Sequence, residues 1–201
     1  MKNGIDFPYM LAGSYYKTFP SFSYCSIITG IISFNKVIVM LKTLLLRYKR
    51  RRRKLLIWKK RLEEQLHTLT LQIPAHIRCS LDISWGPFYG GTVIVNRTME
   101  NVKIIVQIPY DGFLTEDEQN ILIRYQLRKR DLPYFILFHE FSHLMDAIFH
   151  LNHGTMKDFR RYLADCQRIV QDAPDYRKLP FEEQADRFAY QCILQHCSKA
   201  C

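Results

Sequence analysis

The sequence predicts an α+β fold, in which one small antiparallel or mixed sheet packs against several helices. Three short runs rich in β-branched residues stand together in the middle of the chain, at residues 77–84, 92–96 and 102–108. Helical patterns precede and follow these runs, and strands grouped apart from helices are typical of this fold class. A length of 201 residues suffices for one domain with its own core and an N-terminal appendage.

Residues 1–36 are predicted to form a poorly structured or membrane-associated extension. The first 21 residues mix aromatic residues with Gly and Pro and show no periodicity, whereas residues 22–41 are mostly apolar. Asn35 and Lys36 interrupt that apolar run, and a lysine at the centre of a span costs about 2.5–3.5 kcal/mol. A membrane span, contact with a membrane surface and ordinary packing all stay open, and so does a natural start at Met40.

Residues 37–70 are predicted to form one long, basic amphipathic helix. Its apolar side chains recur at intervals of three, four or seven: Leu41, Leu44, Leu45, Tyr48, Leu55, Trp58, Leu62 and Leu66. Residues 47–61 hold ten of the 29 basic residues and no acidic one, and the other 19 basic residues balance 19 acidic ones. Such a local cluster indicates contact with an anionic membrane surface or, as the second candidate, with nucleic acid. The alternative is a solvated helix face.

Residues 71–201 are predicted to form the main domain. A capping box at Thr115 begins the first helix after the strands, and Pro133 begins the next one. The expected helices cover residues 115–130, 133–151, 156–171 and a last stretch from about residue 180.

Six cysteines are scattered along the chain: Cys25, Cys79, Cys166, Cys192, Cys197 and Cys201. This is not the spacing of a small disulfide-rich secreted domain, so we expect the cysteines to be reduced and the protein to be cytoplasmic. The protein would be either free or associated with a membrane through its N-terminal segment. The C-terminal cysteines and His196 match no standard metal-binding spacing and are interpreted as core and tail residues.

The most informative motif is His139-Glu140-Phe141-Ser142-His143, which lies in a strongly apolar stretch. Residues four apart share one helix face, so His139 and His143 can offer two imidazoles to one zinc ion. Glu140 stands beside that position, where its carboxylate can take a proton from a zinc-bound water. The alternative is a pair of core histidines whose polar atoms are satisfied by neighbours.

A catalytic zinc ion needs a third protein ligand. Asp146 and His150 share the helix face of the two histidines, but a straight helix diverges from an ion held by its first two ligands. Glu182 and Asp186 lie four residues apart on a helix predicted downstream. One of these carboxylates can therefore bind the ion while the other accepts a hydrogen bond from a ligand histidine. Glu183 is the rival third ligand.

The sequence Glu-Glu-Gln-Ala-Asp at residues 182–186, after an HExxH motif, resembles the gluzincin metallopeptidases. Over residues 182–189 it is most similar to the ImmA/IrrE family of bacterial metallopeptidases, and the resemblance covers roughly residues 102–195. It implies a zincin-like fold with zinc as the cofactor. It also implies three zinc ligands, a general base and a carboxylate that orients a ligand histidine: His139, His143 and Glu182, then Glu140, then Asp186.

We therefore expect a zinc metalloendopeptidase in which Glu140 activates water for attack on a protein or peptide substrate. The peptide would add to a sheet edge, which we expect at residues 102–108. One alternative is a catalytically silent zinc-binding protein tethered to a membrane or nucleic acid, and another is a nucleic-acid-binding module, although no reader motif accompanies the basic run. The candidate donors to a developing oxyanion are Tyr134, His150, His153, Tyr162 and Tyr176.

Overall fold

A computed structural model describes residues 9–11, 34–96, 98–110 and 112–198. The predicted extension at residues 1–36 and most of the apolar run 22–41 lie outside these described residues. The elements are β1 (Tyr9–Leu11), α1 (Phe34–Thr70), β2 (Arg78–Gly86), β3 (Gly90–Val95), β4 (Asn101–Pro109), α2 (Glu116–Arg124), α3 (Leu132–Asn152), α4 (Met156–Asp172) and α5 (Pro180–Ser198), with 3-10 turns at Lys129–Asp131 and Tyr176–Lys178.

The fold is α+β, with the long helix first, the sheet next and the other helices last, as the order of the patterns predicts. In the described part of the chain, no helix is both long and apolar enough to cross a membrane. The C-terminal half of α1 packs on β2 and α3. Leu62, Leu66 and Leu69 are buried there, and Trp58 meets Tyr134 edge-on with ring centroids 5.6 Å apart.

The four strands form one mixed sheet in the order β1-β3-β4-β2. β3 is antiparallel to both of its neighbours, whereas β2 and β4 run parallel. Side chains of β4 alternate along the strand, and those of Val102, Ile104 and Val106 are buried. The sheet thereby turns an apolar face towards α3, which contacts both β3 and β4.

The prediction that residues 102–108 lie at a sheet edge is wrong. β4 is paired along both sides, with β2 from Arg78 opposite Asn101 onwards and with β3 from Gly90 opposite Gln107 onwards. The antiparallel β3 joins β4 through a short connection and occupies one side of it. Since β2 is parallel to β4, it needs a crossover and takes the other side.

α2 begins at the predicted capping box but ends earlier than expected. The Thr115 hydroxyl accepts the backbone N–H of Glu118 at 3.2 Å, and the Glu118 carboxylate accepts the backbone N–H of Thr115 at 2.6 Å. The helix ends at Arg124, and Gln126 then has a positive φ of 52°. A left-handed residue turns the chain away from the helix axis, so the stretch up to Arg130 is not one continuous helix.

α3 is the central helix of the domain. It contacts β3, β4, α1, α4 and α5, and Phe135, Leu137, Phe141 and Leu144 are at most 1% exposed. A helix that is apolar on most of its circumference is buried in a core. α3 therefore carries the polar groups of the HExxH motif into the interior, where packing on several sides fixes them.

Candidate metal site

Two imidazoles meet on one face of α3. His139 and His143 are 6% and 8% exposed, and their Nε2 atoms lie 3.0 Å apart. The spacing of four residues places one ring above the other on the helix. Both rings thus direct a nitrogen to the same point.

α5 brings a carboxylate to that point. Glu182 is 2% exposed, and its two oxygens lie 3.2 Å from His139 Nε2 and 3.4 Å from His143 Nε2. Ala185 and Ala189 are fully buried, and side chains as small as these allow α5 to pack closely on α3. The predicted third ligand is therefore close to both histidines, although 39 residues separate it from His143 in the sequence.

A second carboxylate holds the His139 ring from behind. Asp186 Oδ1 lies 2.8 Å from His139 Nδ1, and Arg177 Nη1 donates to the same oxygen at 3.2 Å. An ionised carboxylate only accepts hydrogen bonds, so Nδ1 of His139 carries the proton. Arg177 was not predicted from the sequence, because it lies in the 3-10 turn Tyr176–Lys178 and has no periodic relation to the motif on α5.

The hydrogen bond between His139 and Asp186 determines whether the cluster can accept a metal ion, because it decides which nitrogen of His139 has a free lone pair. In a neutral imidazole protonated at Nδ1, Nε2 of His139 presents a lone pair. That lone pair faces the Glu182 carboxylate, and two groups that only accept hydrogen bonds repel one another unless a cation or an added proton lies between them. Nε2 of His143 lies close to both groups. Separations of 3.0, 3.2 and 3.4 Å are close to the distance of about 3.3–3.6 Å between ligands placed 2.0–2.2 Å from a tetrahedral ion. The residues present fit a metal.

The electrostatics of the cluster favour a positive charge at its centre. Burial by itself lowers the pKa of His139, but hydrogen bonds with Asp186 and Glu182 outweigh burial and raise that pKa to about 9. Burial by itself raises the pKa of Glu182, yet hydrogen bonds from His139 and His143 hold that pKa well below its usual range. Without a metal, protons supply the positive charge that three converging acceptors require.

Glu140 lies beside the cluster, with one oxygen unsatisfied. It is 4% exposed, and its Oε2 has no hydrogen-bond partner among the described residues. Burial raises its pKa, and the two neighbouring histidines oppose that effect. Gly91 of β3 packs against it, so that a Cβ at Gly91 would collide with Cγ, Cδ and Oε1 of Glu140. A buried carboxylate with a spare acceptor next to a metal site can take a proton from a water.

Other residues considered for the site lie elsewhere. Glu183 pairs with Arg124 at 3.7 Å and Arg187 at 3.4 Å. His150 is exposed and stacks on the ring of Tyr162, with centroids 3.8 Å apart. Among the described residues, the group of side chains able to hold a metal ion is His139, His143 and Glu182, without Asp146, His150 or Glu183.

The candidate oxyanion donors are also dispersed. Tyr134 packs on Trp58 of α1, and His153 stacks on Phe149 at the end of α3. Tyr176 is half-buried, and its pKa, which burial raises, also responds to the charges of Arg177 and Glu182. Tyr176 is therefore the candidate donor whose surroundings include the cluster.

The chain thus contains a buried triad of His139, His143 and Glu182 of the kind that forms an HExxH-type metal site. Comparison of the chain with protein-family models, with curated proteins and with solved structures gave no match.

Proposed function

We propose that the protein is a zinc-dependent metallopeptidase of the gluzincin type, similar to the ImmA/IrrE family. One observation carries the proposal: the buried ligand atoms of His139, His143 and Glu182, from α3 and α5, all lie within 4.8 Å of one another, and the buried Glu140 carboxylate lies next to them. The arrangement supports a site that holds an ion and manages a proton.

The donor set favours zinc among the common metals. Two imidazole nitrogens and one carboxylate oxygen are a known ligand set of catalytic zinc, which keeps a fourth position for water or substrate. Magnesium and calcium prefer sites made mostly of oxygen. His139, His143 and Glu182 would hold the ion, and Asp186 would fix the His139 tautomer that binds it.

The chain's own residues account for the rest of the chemistry. Bound zinc would supply a Lewis acid and lower the pKa of a water molecule to about 7. Glu140 would accept the proton of the attacking water and return it to the leaving amine. Its burial and its spare oxygen support this role, because a desolvated carboxylate binds a proton more readily than an exposed one.

A peptide main chain would lie along the outer edge of β3. Gly91 of this strand touches Glu140, and β1 pairs with β3 only at Val93, Ile94 and Val95 among the described residues. Residues 90–92, which are unpaired on that side within the described part of the chain, would offer main-chain groups next to the proposed base. Added strands gain main-chain hydrogen bonds of this kind, which bind peptides largely independently of their side chains.

The test combines metal content with hydrolysis in the full-length protein. We expect one zinc per chain after metal repletion and cleavage within a mixed peptide library. Glu140→Gln should keep the zinc and lose hydrolysis, because an amide cannot accept the proton. Glu182→Gln should lose the zinc, whereas the neighbouring Glu183→Gln should keep both properties because Glu183 pairs with arginines instead.

The outcomes separate the two parts of the proposal. A wild-type chain without zinc after repletion would refute the metal site and the enzyme together. Zinc that is retained with no cleavage of any library peptide would refute the peptidase and favour a catalytically silent zinc-binding protein.

A further inference from the structure

We propose that residues 40–57 of α1 bind the surface of a membrane that contains anionic lipid. This surface lies outside the metal site, and the inference does not depend on the proposed peptidase activity. It rests on two properties of the same helical stretch: exposed apolar side chains and a run of basic residues with no acidic residue among them.

The apolar side chains continue the stripe that packs α1 onto the domain. Leu62 and Leu66 are buried against the sheet and α3. Leu55, which precedes them on the same helix face, is half-buried. At the same helical spacing, Tyr48, Leu44 and Leu41 are 61%, 50% and 51% exposed. The apolar stripe of α1 is therefore buried at its C-terminal end, where the domain covers it, and exposed at its N-terminal end. Met40, Leu45, Leu46, Leu56 and Ile57 are also large, apolar and more than half exposed.

The charge of this stretch is of one sign. Between Phe34 and Leu62, α1 contains no Asp or Glu, and its first acidic residue is Glu63. Residues 40–57 contain eight basic residues. Arg51 lies over the ring of Tyr110 and Lys54 over that of Trp85, which fixes the side of the domain on which the charged helix lies. The partner that complements this surface is anionic.

The exposed apolar side chains decide between two anionic partners. Nucleic acid binds a basic surface through its phosphates, and exposed leucine side chains on the helix add little to its affinity. A membrane interface takes both kinds of side chain, because headgroups bind the cations while the boundary with the acyl chains accepts the apolar ones. A helix with leucine and arginine mixed along an uncovered stretch therefore fits a lipid surface better.

The experiment measures co-sedimentation of the full-length chain with vesicles. One set of vesicles is pure phosphatidylcholine, and the other also contains phosphatidylglycerol at about 30 mol%. We expect binding to the anionic set alone, weakened by salt. Arg50→Gln, Arg52→Gln and Arg53→Gln combined should weaken it roughly a hundredfold, at about fivefold for each charge. Leu44→Gln with Leu45→Gln should weaken it about tenfold or more.

Matched control variants remove equivalent side chains from other helices. Lys157→Gln, Arg160→Gln and Arg161→Gln remove three exposed charges from α4, and Ile123→Gln with Ile169→Gln removes two exposed apolar side chains. Both control variants should bind vesicles as the wild type does. Circular dichroism and thermal unfolding of all variants show whether each one folds.

Three results would overturn the proposal. The wild type could fail to bind anionic vesicles, or the control variants could weaken binding as much as the α1 variants do. The third result would be binding of duplex DNA or RNA with an affinity that depends on the arginines and not on Leu44 and Leu45. Residues 40–57 would then be a nucleic-acid surface.

Discussion

Nδ1 of His139 and Oδ1 of Asp186 lie 2.8 Å apart and join α3 to α5 at the centre of the candidate site. The contact links a residue of the HExxH motif to a carboxylate 47 positions later in the chain. It fixes which nitrogen of His139 carries a proton, and hence which nitrogen faces His143 and Glu182. Metal binding at this candidate site would thus depend on a residue outside the three converging groups.

Asp186→Asn should weaken zinc binding by about 10- to 100-fold, the usual effect of removing a partner that orients a metal ligand. An amide can present its NH₂ to the ring and stabilise the wrong tautomer. Competition with a chromophoric zinc chelator measures the affinity. Asp82→Asn, an exposed change on β2, serves as the control and should leave affinity unchanged. Equal affinities for the wild type and Asp186→Asn would contradict this role of Asp186.

Arg177→Met should reduce zinc affinity by a smaller factor, because Arg177 acts on the site through Asp186. Its guanidinium donates to the oxygen that also accepts from His139, and it is partly buried. The test is a double-mutant cycle in which Arg177→Met is added to Asp186→Asn. If Arg177 is a positioning residue, the second change costs nothing further. Additive losses would show instead that Arg177 acts on the site independently of Asp186.

Gly91→Ala should lower the rate of hydrolysis while leaving the metal in place. A methyl group at this position would overlap the Glu140 side chain, so the carboxylate must move, and a displacement of about 1 Å can cost about 100-fold in rate. Gly112→Ala is the control, since its Cβ would meet only the flexible end of the Lys129 side chain, at 3.3 Å. Neither glycine has a positive φ, so alanine fits both backbones. Equal rates for the two variants would exclude close packing of β3 on the base.

The sequence predicts those parts of the site that local periodicity places. His139 with His143, and Glu182 with Asp186, are each four residues apart, and helical geometry alone puts each pair on one face. Arg177 could not be found in this way, because a 3-10 turn followed by a helix start imposes no repeating direction on a side chain.

The order of strands is likewise beyond local patterns. Residues 102–108 are recognisable as a strand, but their position between β2 and β3 results from a parallel pairing with a segment some 23 residues earlier. The early end of α2 depends on the left-handed backbone of Gln126, and glutamine is not a residue that commonly signals such a turn. The first error concerns a pairing between distant segments, and the second a local backbone conformation that the residue type does not signal.

The stability of the metal-free protein should fall as the pH rises through about 9. The folded-state pKa of His139 is raised to about 9, whereas an unfolded histidine has a pKa of about 6.5. A raised folded pKa means that the protonated ring stabilises the fold fully below about pH 6.5, and that this contribution is lost as the pH rises through 9. Chemical unfolding of chelator-treated protein between pH 6 and pH 9 measures the effect.

Zinc affinity should change in the opposite direction over the same range. The ion must displace the proton on Nε2 of His139, so the affinity for zinc should rise about tenfold per pH unit up to about pH 9. In Asp186→Asn one hydrogen bond that raises this pKa is removed, and the rise between pH 7 and pH 8 should flatten. Chelator competition at pH 6, 7 and 8 tests both variants. A wild-type affinity that is constant between pH 7 and pH 8 would mean that zinc displaces no proton from His139 in this range, which would contradict a raised pKa of this ring.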